Sequence, residues 1–152
     1  MTVEIRSARS NDRPAILALA RATLAEFGFT FGTGSASDTQ LEGAPASFEP
    51  GVLYVAMRDE QLLGMAGLYP LGEGQWELRK MFLTAASRGH GLGQQLLDRC
   101  LAFARAQQAR TVVLDTAETM DRAIALYERN GFVRDDTQRR ASRCQRGYRL
   151  DL

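Results

Sequence analysis

Val3 and Ile5 alternate with Glu4 and Arg6, a period of two that predicts a strand running to about Arg9. The period then changes. Ile16, Leu17, Leu19, Ala20 and Leu24 recur at helical spacing, with Ser10 or Asn11 placed to cap the helix and Pro14 confined to its first turn. Gly28 should end it. Residues 29–50 include TFGTGSASDTQLEGAPASFEP, rich in small and breaking residues and too long for a plain turn. They predict a loop over a site, with one short helix around 38–42. GVLYVAMRDEQLLGMAGLYPL and GQWELRKMFL follow as three strand-like runs split by RDEQ and GEG, the pattern of consecutive antiparallel hairpins. A long helix carries Leu92, Leu96, Cys100, Phe103 and Ala104 on one face. TVVLDT then predicts a short buried strand, MDRAIALYERN a helix stopped by Gly131, and FVRDDTQ with RGYRLDL a final hairpin. The order βα, loop, βββ, αβα, ββ implies an α/β fold: one mixed sheet with helices on both faces.

The 152 residues suit a single domain, 1–152. With 45% hydrophobic and 24% charged residues and a formal net charge of +1, the composition gives no bulk attraction to nucleic acid or membrane. No apolar run approaches the roughly 20 residues of a bilayer span, and MTVEIRSARS lacks the apolar core of a signal peptide, so a cytoplasmic location is expected. Cys100 and Cys144 show neither CxxC spacing nor a histidine cluster nearby, which predicts packing thiols and no metal site.

The stretch RGHGLGQQ (88–95) stands between a strand and a helix start, where free backbone N–H groups and the helix dipole suit an anion. A P-loop would need Lys and Ser/Thr after the last glycine, but Gln94 and Gln95 follow Gly93. GxGxxG needs glycines at the first, third and sixth places, whereas Gly89, Gly91 and Gly93 fall at the first, third and fifth. A nucleotide enzyme using ATP or NAD therefore ranks last. The remaining pattern is Arg/Gln-x-x-Gly-x-Gly/Ala, which Arg88, Gly91 and Gly93 match without a gap.

At this point the chain resembles the GNAT superfamily of acetyl-CoA-dependent N-acetyltransferases. ELRKMFLTAASRGHGLGQQLLDRCLAFARAQQ is similar to that family's central strand, pyrophosphate loop and helix. AIALYERNGF is similar to its Ala-x-x-Leu-Tyr-x-x-x-Gly-Phe motif, at Ala123, Leu126, Tyr127, Gly131 and Phe132. The resemblance covers residues 76–133 closely and the rest by element order. It implies the GNAT fold and acetyl-CoA as co-substrate. It further implies that the backbone N–H groups of Arg88, Gly89, His90, Gly91, Leu92, Gly93 and Gln94 hold the CoA pyrophosphate. Met81, Phe82 and Leu83 would pair with the pantetheine amides as an added strand, and Ala123 and Tyr127 would border the same arm. Glycine permits positive φ and close approach, and a side chain at Gly91 or Gly93 would stand where the anion sits. Met120 departs from the family, which carries an asparagine there; a thioether can pack along the arm but loses one polar contact. His90, the only histidine, is expected to face solvent without a catalytic role.

Acetyl transfer to an amine needs the amine neutral, since an alkylamine of pKa near ~10.4 is protonated at neutral pH, and needs a proton for the departing thiolate. Tyr127 stands where the resemblance places the general acid; otherwise it is a core aromatic. Glu77 stands where the histone-acetylating branch of the superfamily carries its base. Strand alternation puts Glu77, Arg79, Met81 and Leu83 on one face unless a bulge intervenes, and a cleft beside Trp76 would raise the carboxyl's pKa. The alternative is a surface Glu paired with Arg79 or Lys80. Phe27, Phe29 and Phe31 are candidates to wall an acceptor pocket, or else an aromatic plug tying the loop to the core. Six arginines end the chain, Arg134, Arg139, Arg140, Arg143, Arg146 and Arg149, but arginine is used throughout, so the run reads first as a solvated face and second as a contact for an acidic acceptor or a nucleic acid. The acceptor is a small-molecule or peptide amine, and the oligomeric state stays open, a homodimer included. The rival reading of another class is an acyl-CoA-binding sensor that keeps the fold and has lost the chemistry.

Overall fold

The structure, a computed structural model, describes residues 2–152. Seven strands form one mixed sheet in the order β1-β2-β3-β4-β5-β7-β6. β1 (Glu4–Ser7) lies at one edge, and β2 (Val52–Arg58), β3 (Gln61–Gly72) and β4 (Gln75–Leu83) follow as an antiparallel meander. β5 (Thr111–Thr116) runs parallel to β4, which requires a crossover, and α2 (Leu92–Ala106) supplies it. β7 (Arg146–Asp151) inserts between β5 and the two-residue β6 (Val133–Arg134), so the C-terminal hairpin is present but one of its arms is very short.

Two apolar clusters cover the two faces of the sheet. On one, α1 (Arg13–Glu26) buries Ile16, Leu19, Ala20 and Leu24 against Leu53, Val55 and Met65, with Leu41 and Phe48 of the long loop completing the layer. On the other, α2 buries Leu92, Leu96, Leu97, Cys100, Leu101 and Ala104. They pack with Ile124, Leu126 and Tyr127 of α3 (Asp121–Arg129) against Val52, Tyr54, Leu68 and Leu114. Each such aliphatic side chain stabilises the fold by roughly 1.5–3 kcal/mol relative to exposure.

The cap of α1 differs from expectation. Ser10 and Asn11 form a short 3-10 turn, and Asp12 occupies the N-cap. Its carboxylate accepts from the Arg9 N–H at 2.7 Å and from Arg6 at 2.8 and 3.1 Å, which explains why an aspartate is buried there. The short helix expected at 38–42 is a 3-10 segment over Ala36–Gly43. Among the described residues no helix is long and apolar enough to cross a membrane.

Candidate active site

β4 and β5 pair only at Gln75↔Thr111, Trp76↔Val112 and Glu77↔Val113. Beyond Glu77 the strands part, leaving the β5-facing edge of β4 without a ladder partner. The opposite edge stays paired with β3, but not evenly: Gly67 faces Arg79 while Met65 faces Phe82, so two residues of β4 occupy the space of one. Lys80 makes this bulge with φ +57, a left-handed backbone that is uncommon for a non-glycine residue.

The extra residue inverts the alternation. Trp76 and Leu78 pack on the α2 face, whereas Phe82 packs on the α1 face and Met81 and Leu83 on the α2 face. Glu77, Arg79, Met81 and Leu83 therefore do not share a face; Glu77 and Arg79 separate from Met81 and Leu83 at Lys80. Nor does Trp76 form a cleft for Glu77, because its ring lies edge-on to Phe103 of α2, 5.9 Å between centroids.

After β4 the chain turns through Gly89 (φ +83) and Gly91 (φ +80) into α2. The backbone N–H groups of residues 89–94 donate to no protein acceptor among the described residues; the first bond of the helix is Gln95 N–H to Gly91 O at 3.2 Å. Six donors at a helix N-terminus make an anion cradle. A Cβ added at Gly91 would meet nothing within 4 Å, whereas one at Gly93 would lie 3.4 Å from Leu126. Gly91 thus faces open space, while Gly93 lines the same groove with Leu126 of α3 at contact distance.

Other loop residues also divide. The Arg88 N–H is directed at Ala85 O, at 3.4 Å, and lies outside the cradle. The Arg88 guanidinium instead pairs with both oxygens of Glu26 and donates to Leu83 O at 3.1 Å, tying the end of α1 to the end of β4. His90 is exposed and Leu92 is buried. The Gln94 side chain bonds Asn130 in both directions, at 2.8 and 2.9 Å, and joins the start of α2 to the end of α3.

From this cradle a groove of about 610 Å3 runs between β4 and α3, lined by Phe27, Met81, Leu83, Gly91, Met120 and Arg129 among others. It meets a second cavity of about 210 Å3 at Met81, Phe82, Met120 and Ala123, which line both. Met120 sits at the N-cap of α3, where its sulfur accepts a hydrogen bond from Thr116 Oγ1 at 3.7 Å.

Tyr127 lines the second cavity. Its ring packs against Phe132 and Tyr148, at centroid distances of 5.7 and 6.5 Å. The hydroxyl has no hydrogen-bond partner among the described residues, yet no fully buried polar atom is left unpaired, so the hydroxyl reaches the open cavity. Burial pushes the phenol above its ordinary pKa, keeping it protonated at neutral pH. Glu77 lines the same cavity at 5% exposure. Its carboxylate is bonded by the Arg79 Nε–H and lies 3.6 Å from Arg140 Nη1, so it is ion-paired yet not on the surface.

Phe29 and Phe31 do not line this cavity. They pack against the α1-side core under the guanidiniums of Arg143 and Arg21, as a plug would. Phe27 joins the cradle-side groove beneath Arg88.

Behind Lys80 and Arg143 of the cavity wall lies a buried ion-pair cluster that sequence reasoning did not foresee. Asp38, with no exposed surface, accepts from Lys80 Nζ at 2.6 Å, from Arg143 Nη1 and Nη2 at 2.7 Å each, and from the Gly32 N–H at 2.8 Å. Burial alone would raise its carboxyl pKa, but the bonds from Arg143 and Lys80 outweigh that and bring it to about 2. Lys80, the only lysine in the chain, is shifted down by burial, an effect its Asp38 partner partly offsets. Cys144 lies nearby, its thiol pushed by burial to about 12 and so unreactive. Among the described residues no group of His, Cys, Asp and Glu is arranged to hold a metal.

An anion cradle at a helix start, a free strand edge beside it and a polar cavity at the strand's splay thus lie together on one α/β fold. The family pattern described as acetyltransferase (GNAT) matches residues 17–132, and the chain belongs to that family. An uncharacterized N-acetyltransferase of Escherichia coli K12, YjgM, is 33% identical over 131 residues, 82% of this chain and 78% of that one. The chain spans only about a third of several other curated relatives, 35% of a mycothiol acetyltransferase from Geodermatophilus obscurus, to which it is 34% identical over 68% of its own length. A GNAT-family acetyltransferase of Staphylococcus aureus Mu50 has the same fold, with TM-score 0.90 at 19% identity over 99% of both chains. YncA, a putative acetyltransferase from Salmonella typhimurium solved with acetyl-CoA, aligns with TM-score 0.77 at 19% identity over 100% of this chain and 95% of that one.

Proposed function

We propose that the chain transfers acetyl from acetyl-CoA to the primary amine of a small molecule or peptide by direct attack. The observation that carries this is the meeting of two cavities at Met81, Phe82, Met120 and Ala123, one leading to free backbone N–H groups and the other to the Tyr127 hydroxyl. The donor-side residues fit CoA: the N–H groups of residues 89–94 suit a pyrophosphate, and the open edge at Met81, Phe82 and Leu83 suits amides in an extended arm. Binding of acetyl-CoA in YncA, a protein of the same fold, supports the reading. Acetyl-CoA supplies a thioester activated toward an amine.

The chain's own residues do the rest. Glu77 receives the amine's proton, directly or through water, and the Tyr127 hydroxyl protonates the departing sulfur. Burial raises the phenol's pKa, so its proton is in place when the thiolate forms. Met120 packs beside the arm in place of a polar contact, anchored by Thr116.

Replacing Tyr127 with phenylalanine removes the acid and keeps the ring contacts to Phe132 and Tyr148. Turnover should fall by roughly 10²-fold, with CoA affinity within about twofold of the parent, measured by thiol release and by calorimetric titration. Equal turnover in the variant would remove Tyr127 from the mechanism.

A further inference from the structure

On the acetyl-transfer reading above, we propose that the acceptor is a free α-amino acid, its amine turned to Glu77 and its α-carboxylate received by Arg140. Four cationic side chains, Arg79, Lys80, Arg140 and Arg143, line the acceptor cavity. Two carboxylates are each shared between two of them: Asp38 by Lys80 and Arg143, and Glu77 by Arg79 and Arg140. Each cluster thus keeps one positive charge in excess. Asp115, the other carboxylate of the wall, is committed to the backbone, its Oδ2 accepting from the N–H groups of Arg140 and Ala141 at 2.6 and 2.8 Å. That bond pins the segment from which Arg140 projects.

Of the four cations, Arg140 has the most freedom to take a ligand. Arg143 and Lys80 are bonded to Asp38, and Arg79 is bonded to Glu77 and Gln40 while lying over the Tyr69 ring. Arg140 hydrogen-bonds only neutral acceptors: Gln138 O at 2.8 Å, Gln138 Oε1 at 3.1 Å and Gln75 Oε1 at 3.4 Å. Its side chain is 37% exposed. Exchanging neutral partners for a carboxylate gives a charge-assisted, two-point contact.

Spacing admits an α-amino acid across the two groups. Arg140 Nη1 and Glu77 Oε2 lie 3.6 Å apart. In an α-amino acid the nitrogen and the carboxyl carbon are separated by about 2.5 Å, from the N–Cα and Cα–C bonds and the angle between them. One molecule can therefore address both groups at once. A cavity of about 210 Å3 has room for it. The surplus positive charge also disfavours the ammonium form and so favours the neutral amine that attacks. In the reaction the C–N bond forms and the C–S bond breaks; the nitrogen yields its proton to Glu77, the sulfur takes the Tyr127 proton, and the products are an N-acetyl amino acid and free thiol.

The test is thiol release from acetyl-CoA with alanine, leucine and phenylalanine, each against its carboxamide and against the alkylamine lacking the carboxylate. The amides carry the less basic amines, with pKa near ~8, so chemistry alone favours them. The expected result is at least tenfold higher kcat/KM for the acids in the parent protein. In Arg140→Gln that preference shrinks about tenfold, with the KM for acetyl-CoA within twofold, and Arg140→Lys retains part of it. Amides or alkylamines used as well as the acids, or turnover with peptides alone, overturns the inference and leaves acetyl transfer standing. Absence of thiol release with every amine, while CoA still raises the Tm, removes the transfer reading and this inference with it.

Discussion

Asp38 carries more of the site than its place in the sequence suggests. Three charged or amide donors converge on a carboxylate with no exposed surface, from residues 6, 42 and 105 positions away. Those separations explain why it was not legible: in SASDTQLEG a lone aspartate reads as a turn residue, and its partners are set only by the tertiary fold. That Glu77 and Tyr127 would lie near one another could be expected from the resemblance, and both line the cavity. The partners of Glu77 were only half foreseen, Arg79 from two residues along the strand and Arg140 not at all. Asp38→Asn should leave the buried Lys80 and Arg143 without a countercharge and cost about 3–5 kcal/mol, a Tm drop on the order of 10 °C by calorimetry. Acid has a related effect. The folded pKa of Asp38, about 2, lies below its ordinary 3.8. The group therefore adds stability above pH 4 that is lost as pH falls from about 4 to 2, worth about 2 kcal/mol. The asparagine variant should lack that part of the acid transition.

At the scale of elements, β4 and the glycine loop decide the site. The strand's limits follow from its sequence, but its faces do not: period two alone would carry Glu77 through to Leu83, and the positive φ of Lys80 reverses it. No local signal marks that reversal, since a lysine gives no steric advantage in the left-handed region; its side chain is held there by Asp38. The loop's glycines were legible as a group and not one by one. Gly91 answers a backbone demand, φ +80 beside open space, while Gly93 has no positive φ and a Cβ there would sit at contact distance from Leu126. Gly91→Ala should cost about 1–2 kcal/mol from the left-handed backbone and weaken CoA binding at least tenfold, because its Cβ enters the groove. Gly93→Ala should leave CoA affinity within about threefold. Titration of both variants with CoA separates them, and the reverse order would move the cradle off Gly91.

The whole molecule is organised around a parting of the sheet. β5 is engaged by β7 along all six of its residues but by β4 along only three, so the C-terminal hairpin anchors one side of the opening while β3 holds the other. The same hairpin connection delivers Arg140 and Arg143 to the cavity, which gives the arginine-rich end of the chain a role inside the site and not merely on a solvated face. Element order and the mixed sheet could be read from hydrophobic periodicity, and the glycine turn into α2 from two spaced motifs. The acceptor side could not, because its wall comes from segments far apart in the chain, 35–37, 77–82, 114–127 and 140–144 among them. On the acetyl-transfer proposal this opening joins a CoA groove to a catalytic cavity, and amine-dependent thiol release tests that junction. With CoA at a hundredfold excess over its Kd, the protein should gain about 2.7 kcal/mol of stability, and with acetyl-CoA and a suitable amine it should release free thiol at a rate that saturates in both. Stabilisation by CoA with no amine-dependent thiol release across amino acids, peptides and alkylamines would contradict the claim and leave a protein that binds acyl-CoA without transferring it.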